Sequence, residues 1–195
     1  MGSLIRRSNM EKIETGFPGL FILKPRVFED PRGYFFESYN RKDLDFMNIG
    51  HDWVQDNQSS STRGVIRGLH YQLDPFSQAK LVRVLDGTIL DVVVDIRKES
   101  PAFGKVYTLE LSGENKLQLL IPRGFAHGFS VLSASASVLY KCDNYYSSKH
   151  EGGFRWDDPD LGIDWKVPMD TAVISDKDKE LPFFRDLPEQ FTFHG

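Results

Sequence analysis

An all-β domain, an antiparallel sandwich or barrel of which the jelly roll is one form, is what the sequence predicts, and three observations carry that prediction. Leu90, Val92, Val94 and Ile96 alternate with Asp91, Val93, Asp95 and Arg97, the period of two that belongs to a strand. Short β-rich runs succeed one another between residues 80 and 143 with turn residues between them. Helical periodicity is scarce, and residues 42–48 form the one short helix expected in the first half.

A second methionine, Met10, opens Met10-Glu11-Lys12-Ile13, so residues 1–10 read as an expression leader or disordered arm and residues 11–195 as a single domain. Residues 80–85 end in Asp86-Gly87, and an Asp-Gly pair between two β-rich runs predicts a hairpin in which this strand pairs antiparallel with the alternating strand that follows. Residues 106–111, 117–121, 125–132 and 137–143 continue the series, broken by Ser112-Gly113-Glu114-Asn115, by Pro122-Arg123-Gly124 and by a Ser/Ala segment. The C-terminal stretch, rich in Asp, Pro and Trp, is expected to wrap the β core as loops, with few and short helices overall. No low-complexity linker and no internal repeat divides the chain.

Composition removes several function classes. With 195 residues, 40% hydrophobic and 27% charged, the chain can bury a sizeable core and is not a disordered segment. Lys plus Arg number 24 against 28 Asp plus Glu, a formal net charge of −4, so no nucleic-acid partner is expected. Local Arg and Lys clusters can still hold a small anion, because a phosphate responds to nearby donors. The single cysteine, Cys142, permits neither an intrachain disulfide nor a thiolate metal cluster, which fits a reducing compartment. No stretch approaches the ~20 apolar residues that span a bilayer, and the first ten residues lack an apolar signal core, so the expectation is a cytoplasmic protein with no membrane partner.

Two histidines stand in chemically suggestive company. His70, in Arg67-Gly68-Leu69-His70-Tyr71-Gln72, combines a base titrating near neutrality with cations at Arg67 and Lys80, the types a proton-abstracting site needs. The same residues also read as a hydrogen-bonded strand histidine flanked by surface charges. His127 sits in Pro122-Arg123-Gly124-Phe125-Ala126-His127, a Pro-x-Gly-x-x-His pattern similar to the second motif of cupin jelly rolls, where the histidine commonly binds a metal. Metal-binding cupins bring His-x-His to their first motif, and Gly68 and Gln72 flank His70 instead, so no metal is expected here. Tyr140, Tyr145 and Tyr146 read either as strand aromatics or, facing a pocket, as a proton donor and a stacking surface. Arg32, Glu37, Gln55 and Asn57 supply donors and acceptors. Asp178, in a charged turn, matters only if the fold carries it to His70, where a carboxylate would fix the imidazole tautomer.

Together these pieces resemble the dTDP-4-dehydrorhamnose 3,5-epimerase family of cupin-fold enzymes, from about Phe17 to Pro182. The resemblance rests on Pro31-Arg32-Gly33 with Phe36-Glu37, Val54-Gln55-Asp56-Asn57, Val65-Ile66-Arg67-Gly68-Leu69-His70-Tyr71-Gln72 and Lys80-Leu81-Val82-Arg83-Val84. It continues through Asp91-Val92-Val93-Val94-Asp95-Ile96-Arg97, Ser100-Pro101-Ala102-Phe103-Gly104, Ile121 to Phe129 and Ser175-Asp176-Lys177-Asp178. Each motif is weak alone; all of them in order are specific. The resemblance implies a cupin-type jelly roll and an isomerase that inverts carbons 3 and 5 of dTDP-4-dehydro-6-deoxy-D-glucose to give dTDP-4-dehydro-L-rhamnose, without a cofactor. The alternative it leaves is a single-centre epimerase on the same or a related nucleotide-linked keto-sugar. It further implies that His70 is the general base, Tyr140 the general acid on the opposite face of the sugar ring, Asp178 the partner of His70, and Lys80 the cation facing the carbonyl oxygen. Arg32, Glu37, Gln55, Asn57, Arg67, His127, Glu151 and Lys177 would hold the substrate, Tyr146 would stack on the thymine, and the enzyme would be a homodimer.

The chemistry accounts for this inventory independently. A proton beside a ketone is acidic when the enolate left behind is stabilised, and one carbonyl acidifies the carbons on both its sides. Inversion removes a proton from one face and returns one to the other, so a base and a separate acid must flank the ring.

Overall fold

The computed structural model describes residues 8–195, so the N-terminal leader expectation lies largely outside the described residues, although Met10 is buried and opens the first strand. In chain order the strands are β1 (Met10–Glu14), β2 (Phe21–Pro25), β3 (Phe28–Asp30), β4 (Gly33–Phe35), β5 (Gln55–Thr62) and β6 (Ile66–Gln72). They continue with β7 (Lys80–Asp86), β8 (Thr88–Asp95), β9 (Arg97–Lys98), β10 (Val106–Ser112), β11 (Gln118–Ile121) and β12 (Phe125–Val131), and end with β13 (Ser135–Cys142), β14 (Glu151–Gly153) and β15 (Phe191–Thr192). Two short helices, α1 (Arg41–Phe46) and α2 (Asp176–Lys179), complete the regular structure with two single 3-10 turns. Among the described residues no helix is long and apolar enough to cross a membrane.

Two antiparallel sheets face each other, one of six strands in the order β1-β2-β11-β7-β13-β5 and one of five in the order β10-β8-β12-β6-β14. This is the predicted all-β jelly-roll sandwich, with α1 in place of the expected helix at 42–48. The predicted hairpin between β7 and β8 is not formed. β7 pairs with β11 and β13 in the first sheet, while β8 pairs with β10 and β12 in the second. Asp86-Gly87 therefore turns the chain from one sheet to the other. Gly87 is at φ +79°, and a Cβ there would lie 2.1 Å from the Ser135 carbonyl oxygen, so the corner demands glycine for both conformation and space.

Apolar side chains fill three layers. Between the sheets lie Val82, Val84, Ile89, Val93, Leu119, Phe129 and Val138, with Tyr140 packed against them. The outer face of the five-stranded sheet buries Leu69, Leu90, Val92, Val94 and Ala126 beneath Phe154 and Trp165, the C-terminal wrap the sequence predicts. On the outer face of the other sheet, Leu23, Leu81 and Leu120 meet Leu44, Met47 and Ile49 of α1 and the loop after it. The two-residue period of β8 is thus real, but both its faces are covered, which is why Leu90, Val92 and Val94 turn toward the wrap while Asp91 and Val93 turn between the sheets. At the helix start, the Asn40 side chain accepts the Lys42 N–H, and Leu44 supplies the buried contact that a six-residue helix needs.

Candidate active site

β6 and β12 create the site. Their register runs from His127 opposite His70 to Phe129 opposite Arg67, so β6 carries one extra residue, a bulge at Gly68-Leu69. In a regular strand Arg67 and His70 would face opposite ways; the bulge puts both side chains on the wall of one cavity while Leu69 enters the core. The strands approach closely here, since a Cβ on Gly68 would meet the Gly128 Cα at 2.5 Å. Only glycine on both sides allows it.

The cavity, about 460 Å³, opens between the two sheets. β6 contributes Arg67 and His70, β7 contributes Lys80, β12 contributes His127 and β13 contributes Tyr140. The C-terminal segment closes one side with Lys177 and Asp178, held in place by the parallel Val65–Val173 bridge and by α2, whose N-cap Ser175 hydroxyl accepts the Asp178 N–H at 3.1 Å. A neighbouring lobe adds Gln55, Asn57, Tyr146 and Glu151 and shares His70, Lys80 and Tyr140 with the first.

Asp178 reaches His70 across 108 positions of sequence. Its Oδ1 lies 2.7 Å from His70 Nε2, and its Oδ2 accepts the Gly68 N–H at 3.3 Å. Burial opposes the charge on Asp178, but His70, the Gly68 N–H and Ser175 outweigh it and hold the pKa below the ordinary carboxylate value. An ionised carboxylate only accepts, so His70 Nε2 carries the hydrogen, and in the neutral ring Nδ1 is the nitrogen with the lone pair. A second histidine–carboxylate pair lies deeper, with His127 Nε2 at 3.0 Å from the fully buried Asp91 Oδ2.

Lys80 sits 5.8 Å from the centre of the Tyr140 ring. Burial lowers its pKa, and Cys142, Asp91 and Glu151 act against that lowering. Burial also raises the Tyr140 pKa, so its phenol is held in the protonated form that can give a hydrogen. Arg67 is tied by Nε to Ser61 Oγ at 3.0 Å. At the mouth, Glu151 Oε2 accepts from the Tyr146 hydroxyl at 2.9 Å and pairs with Lys177 at 2.6 Å. Gln55 Oε1 takes the Tyr146 N–H at 3.0 Å while its Nε2 donates to Asn57 at 3.1 Å, which anchors the backbone of the exposed Tyr146 beside the polar lobe it lines.

Eleven of the thirteen candidates named from the sequence line these two lobes: His70, Tyr140, Asp178, Lys80, Gln55, Asn57, Arg67, His127, Tyr146, Glu151 and Lys177. Arg32 and Glu37 do not, within one chain. Arg32 is exposed on the β3–β4 hairpin and paired with Asp30 at 2.5 Å, and Glu37 accepts from Asn9 and Asn40. Asp91 is not among these candidates, although a carboxylate in an otherwise apolar run of strand is itself a signal of a specific partner. Among the described residues no group of three or more His, Cys, Asp or Glu is arranged to hold a metal.

Comparison with known proteins gives a consistent picture. The model of the dTDP-4-dehydrorhamnose 3,5-epimerase family matches residues 14–186. The dTDP-4-dehydrorhamnose 3,5-epimerase of Shigella flexneri is 51% identical over 171 residues, covering 87% of this chain and 93% of that protein. Among solved structures, the dTDP-6-deoxy-D-glucose-3,5-epimerase of Legionella pneumophila in complex with dTDP-4-keto-L-rhamnose superimposes with a TM-score of 0.90 at 42% identity, over 95% of this chain and all of that one. A 3′-monoepimerase from Streptomyces bikiniensis in complex with dTDP-quinovose is more distant, at 32% identity and a TM-score of 0.80 over 88% of this chain and 86% of that one.

Proposed function

The chain belongs to the dTDP-4-dehydrorhamnose 3,5-epimerase family, and from that premise we propose that it inverts carbons 3 and 5 of dTDP-4-dehydro-6-deoxy-D-glucose, giving dTDP-4-dehydro-L-rhamnose. The observation that carries the proposal is a base and an acid on different sheets facing one cavity, His70 on β6 and Tyr140 on β13, with Lys80 beside them. The Legionella relative is a structure with dTDP-4-keto-L-rhamnose, the product this reaction forms.

His70 Nδ1 takes the proton from carbon 5 or carbon 3, the two carbons that flank the ketone. The electron pair moves to the carbonyl oxygen as the enolate forms, and the Lys80 ammonium stabilises that charge where it develops. Removing such a donor costs about 2.7–4 kcal/mol of transition-state stabilisation in other enzymes, so Lys80 ranks with the base in importance. As the electron pair returns from the oxygen to that carbon, Tyr140 delivers its phenolic proton to the opposite face and the carbon is inverted; the tyrosinate then takes a proton from solvent and the His70 imidazolium gives one up to it before the second carbon reacts. Asp178 keeps the proton on Nε2, so that Nδ1 is the atom that works. Substrate and product are isomers, so the chemistry is redox-neutral.

Arg67, His127 and Lys177 supply positive or donating groups for the diphosphate, and Tyr146 a ring for the thymine. Arg32 and Glu37 come to the site from a second copy of the chain, in a homodimer. Support for this lies in the β3–β4 hairpin, which leaves Phe28, Tyr34 and Phe35 exposed beside Arg32. Incubation with dTDP-4-dehydro-6-deoxy-D-glucose, borohydride reduction and sugar analysis tests the reaction. The proposal expects L-rhamnose and 6-deoxy-L-talose to appear; recovery of D-fucose and D-quinovose alone contradicts it.

A further inference from the structure

Asp143 lies just outside the cavity, immediately after β13, and its side chain is 4% exposed. Its carboxylate gathers three segments. Oδ1 accepts the Ala79 N–H at 2.7 Å, while Oδ2 lies 2.9 Å from His51 Nδ1, 3.1 Å from Arg123 Nε and 3.0 Å from Arg123 Nη2. Burial pushes the Asp143 carboxyl up, but His51, the Ala79 N–H and Arg123 outweigh it and hold the pKa below the ordinary value. Each donor therefore faces an ionised acceptor, as its geometry requires.

The placement of these bonds is specific. The last pair of the β13–β7 ladder is Cys142 opposite Lys80, and beyond it β7 gives way to the loop that brings in Ser77, Gln78 and Ala79. Asp143 continues the ladder one step further by other means: its own N–H donates to the Ala79 carbonyl at 3.2 Å, and its side chain takes the Ala79 N–H in return. Ala79 is fully buried, and the residue ahead of Lys80 is clamped on both of its backbone polar groups. His51 precedes β5, which carries Gln55 and Asn57, and Arg123 lies in the turn entering β12, which carries His127.

We propose that Asp143 is a positioning residue that sets the place of Lys80 by clamping the Ala79 backbone, with His51 and Arg123 bracing its carboxylate from two neighbouring segments. This rests on the reading of Lys80 as the cation that meets the developing enolate. A lysine has a flexible stem, and its charge is useful only where the oxygen will stand; a misplacement of about 1 Å can cost on the order of 10²-fold in rate. Fixing the backbone one residue before Lys80 removes the largest source of such misplacement. The loop entering β7 would otherwise join the sheet at Lys80 itself, at a frayed end.

A double-mutant cycle with Lys80→Met tests this, reading turnover by NMR over hours so that slow variants are measurable. Asp143→Asn keeps an acceptor for Ala79 but sets an amide N–H₂ against the His51 and Arg123 donors. In the parent it is expected to lower kcat about 10-fold with the dTDP dissociation constant changed less than about twofold, and in the Lys80→Met background to lower kcat less than about twofold. Equal losses in the two backgrounds, or no loss in the parent, would overturn the inference. Should Asp143→Asn fail to fold, Arg123→Gln leaves the carboxylate and its Ala79 bond in place. Its expected loss is about threefold in the parent and none with Lys80→Met, and equal losses again overturn the inference. A Lys80→Met protein that turned over at the parental rate would overturn the role of Lys80 and this inference with it, so the two failures are told apart.

Discussion

Replacing His70 by alanine is expected to lower turnover of dTDP-4-dehydro-6-deoxy-D-glucose by about 10²–10⁴-fold while dTDP still binds, because general base catalysis is worth that much and the nucleotide meets other residues. The expectation follows from where the side chain stands. His70 is 30% exposed on the cavity wall, so its removal empties no apolar core, and the folded state survives. Asp178 loses its imidazole partner but its carboxylate keeps the Gly68 N–H and the Ser175 side chain, so it is not abandoned. A steady-state assay paired with dTDP titration and thermal unfolding checks all three parts. Parental turnover in a folded His70→Ala protein would remove the base from the account.

Tyr140→Phe is expected to separate two events that are coupled in the parent. The ring stays, so its packing against the inter-sheet core and its position beside Lys80 persist, and only the hydroxyl is lost. His70 can still take a proton and Lys80 can still stabilise the enolate. Reprotonation then occurs from the His70 face, which restores the starting configuration. In D₂O the variant should exchange substrate hydrogen for deuterium while forming inverted product at least about 10²-fold more slowly, the lower end of what a lost general acid costs. Exchange and inversion falling together would place Tyr140 in the abstraction step instead, and parental inversion would dismiss it as the acid.

Local pattern made much of the fold legible. Strand periods and turn residues gave the β runs from 80 to 143 and the wrap, because alternation and Gly/Pro punctuation are short-range physics. Partnering is not short-range. Asp86-Gly87 carries the same signal whether it closes a hairpin or turns the chain between sheets, and here a Ser135 carbonyl packed against Gly87, 48 residues away in sequence, decides for the corner. The site shows the same division. His70 with Arg67 is visible as a motif, but only the resemblance to a family supplied Asp178 as its partner, since no periodicity links positions 108 apart. The bulge that turns Arg67 and His70 to one wall depends on Gly68 meeting Gly128 on another strand. Asp143 is illegible in the sequence for a related reason. A carboxylate just past a strand end reads as a solvated charge until the fold shows it buried against a histidine.

The proposed function requires one cavity to remove and return protons on both sides of one ketone. Proton NMR of dTDP-4-dehydro-6-deoxy-D-glucose incubated with the protein in D₂O tests it most directly, by following the resonances of carbons 3 and 5 as solvent deuterium enters. Deuterium is expected at both carbons, accompanying inversion at both. Exchange confined to one carbon would contradict the double inversion and leave a single-centre epimerase, and no exchange at either would contradict the proton chemistry assigned to His70, Lys80 and Tyr140.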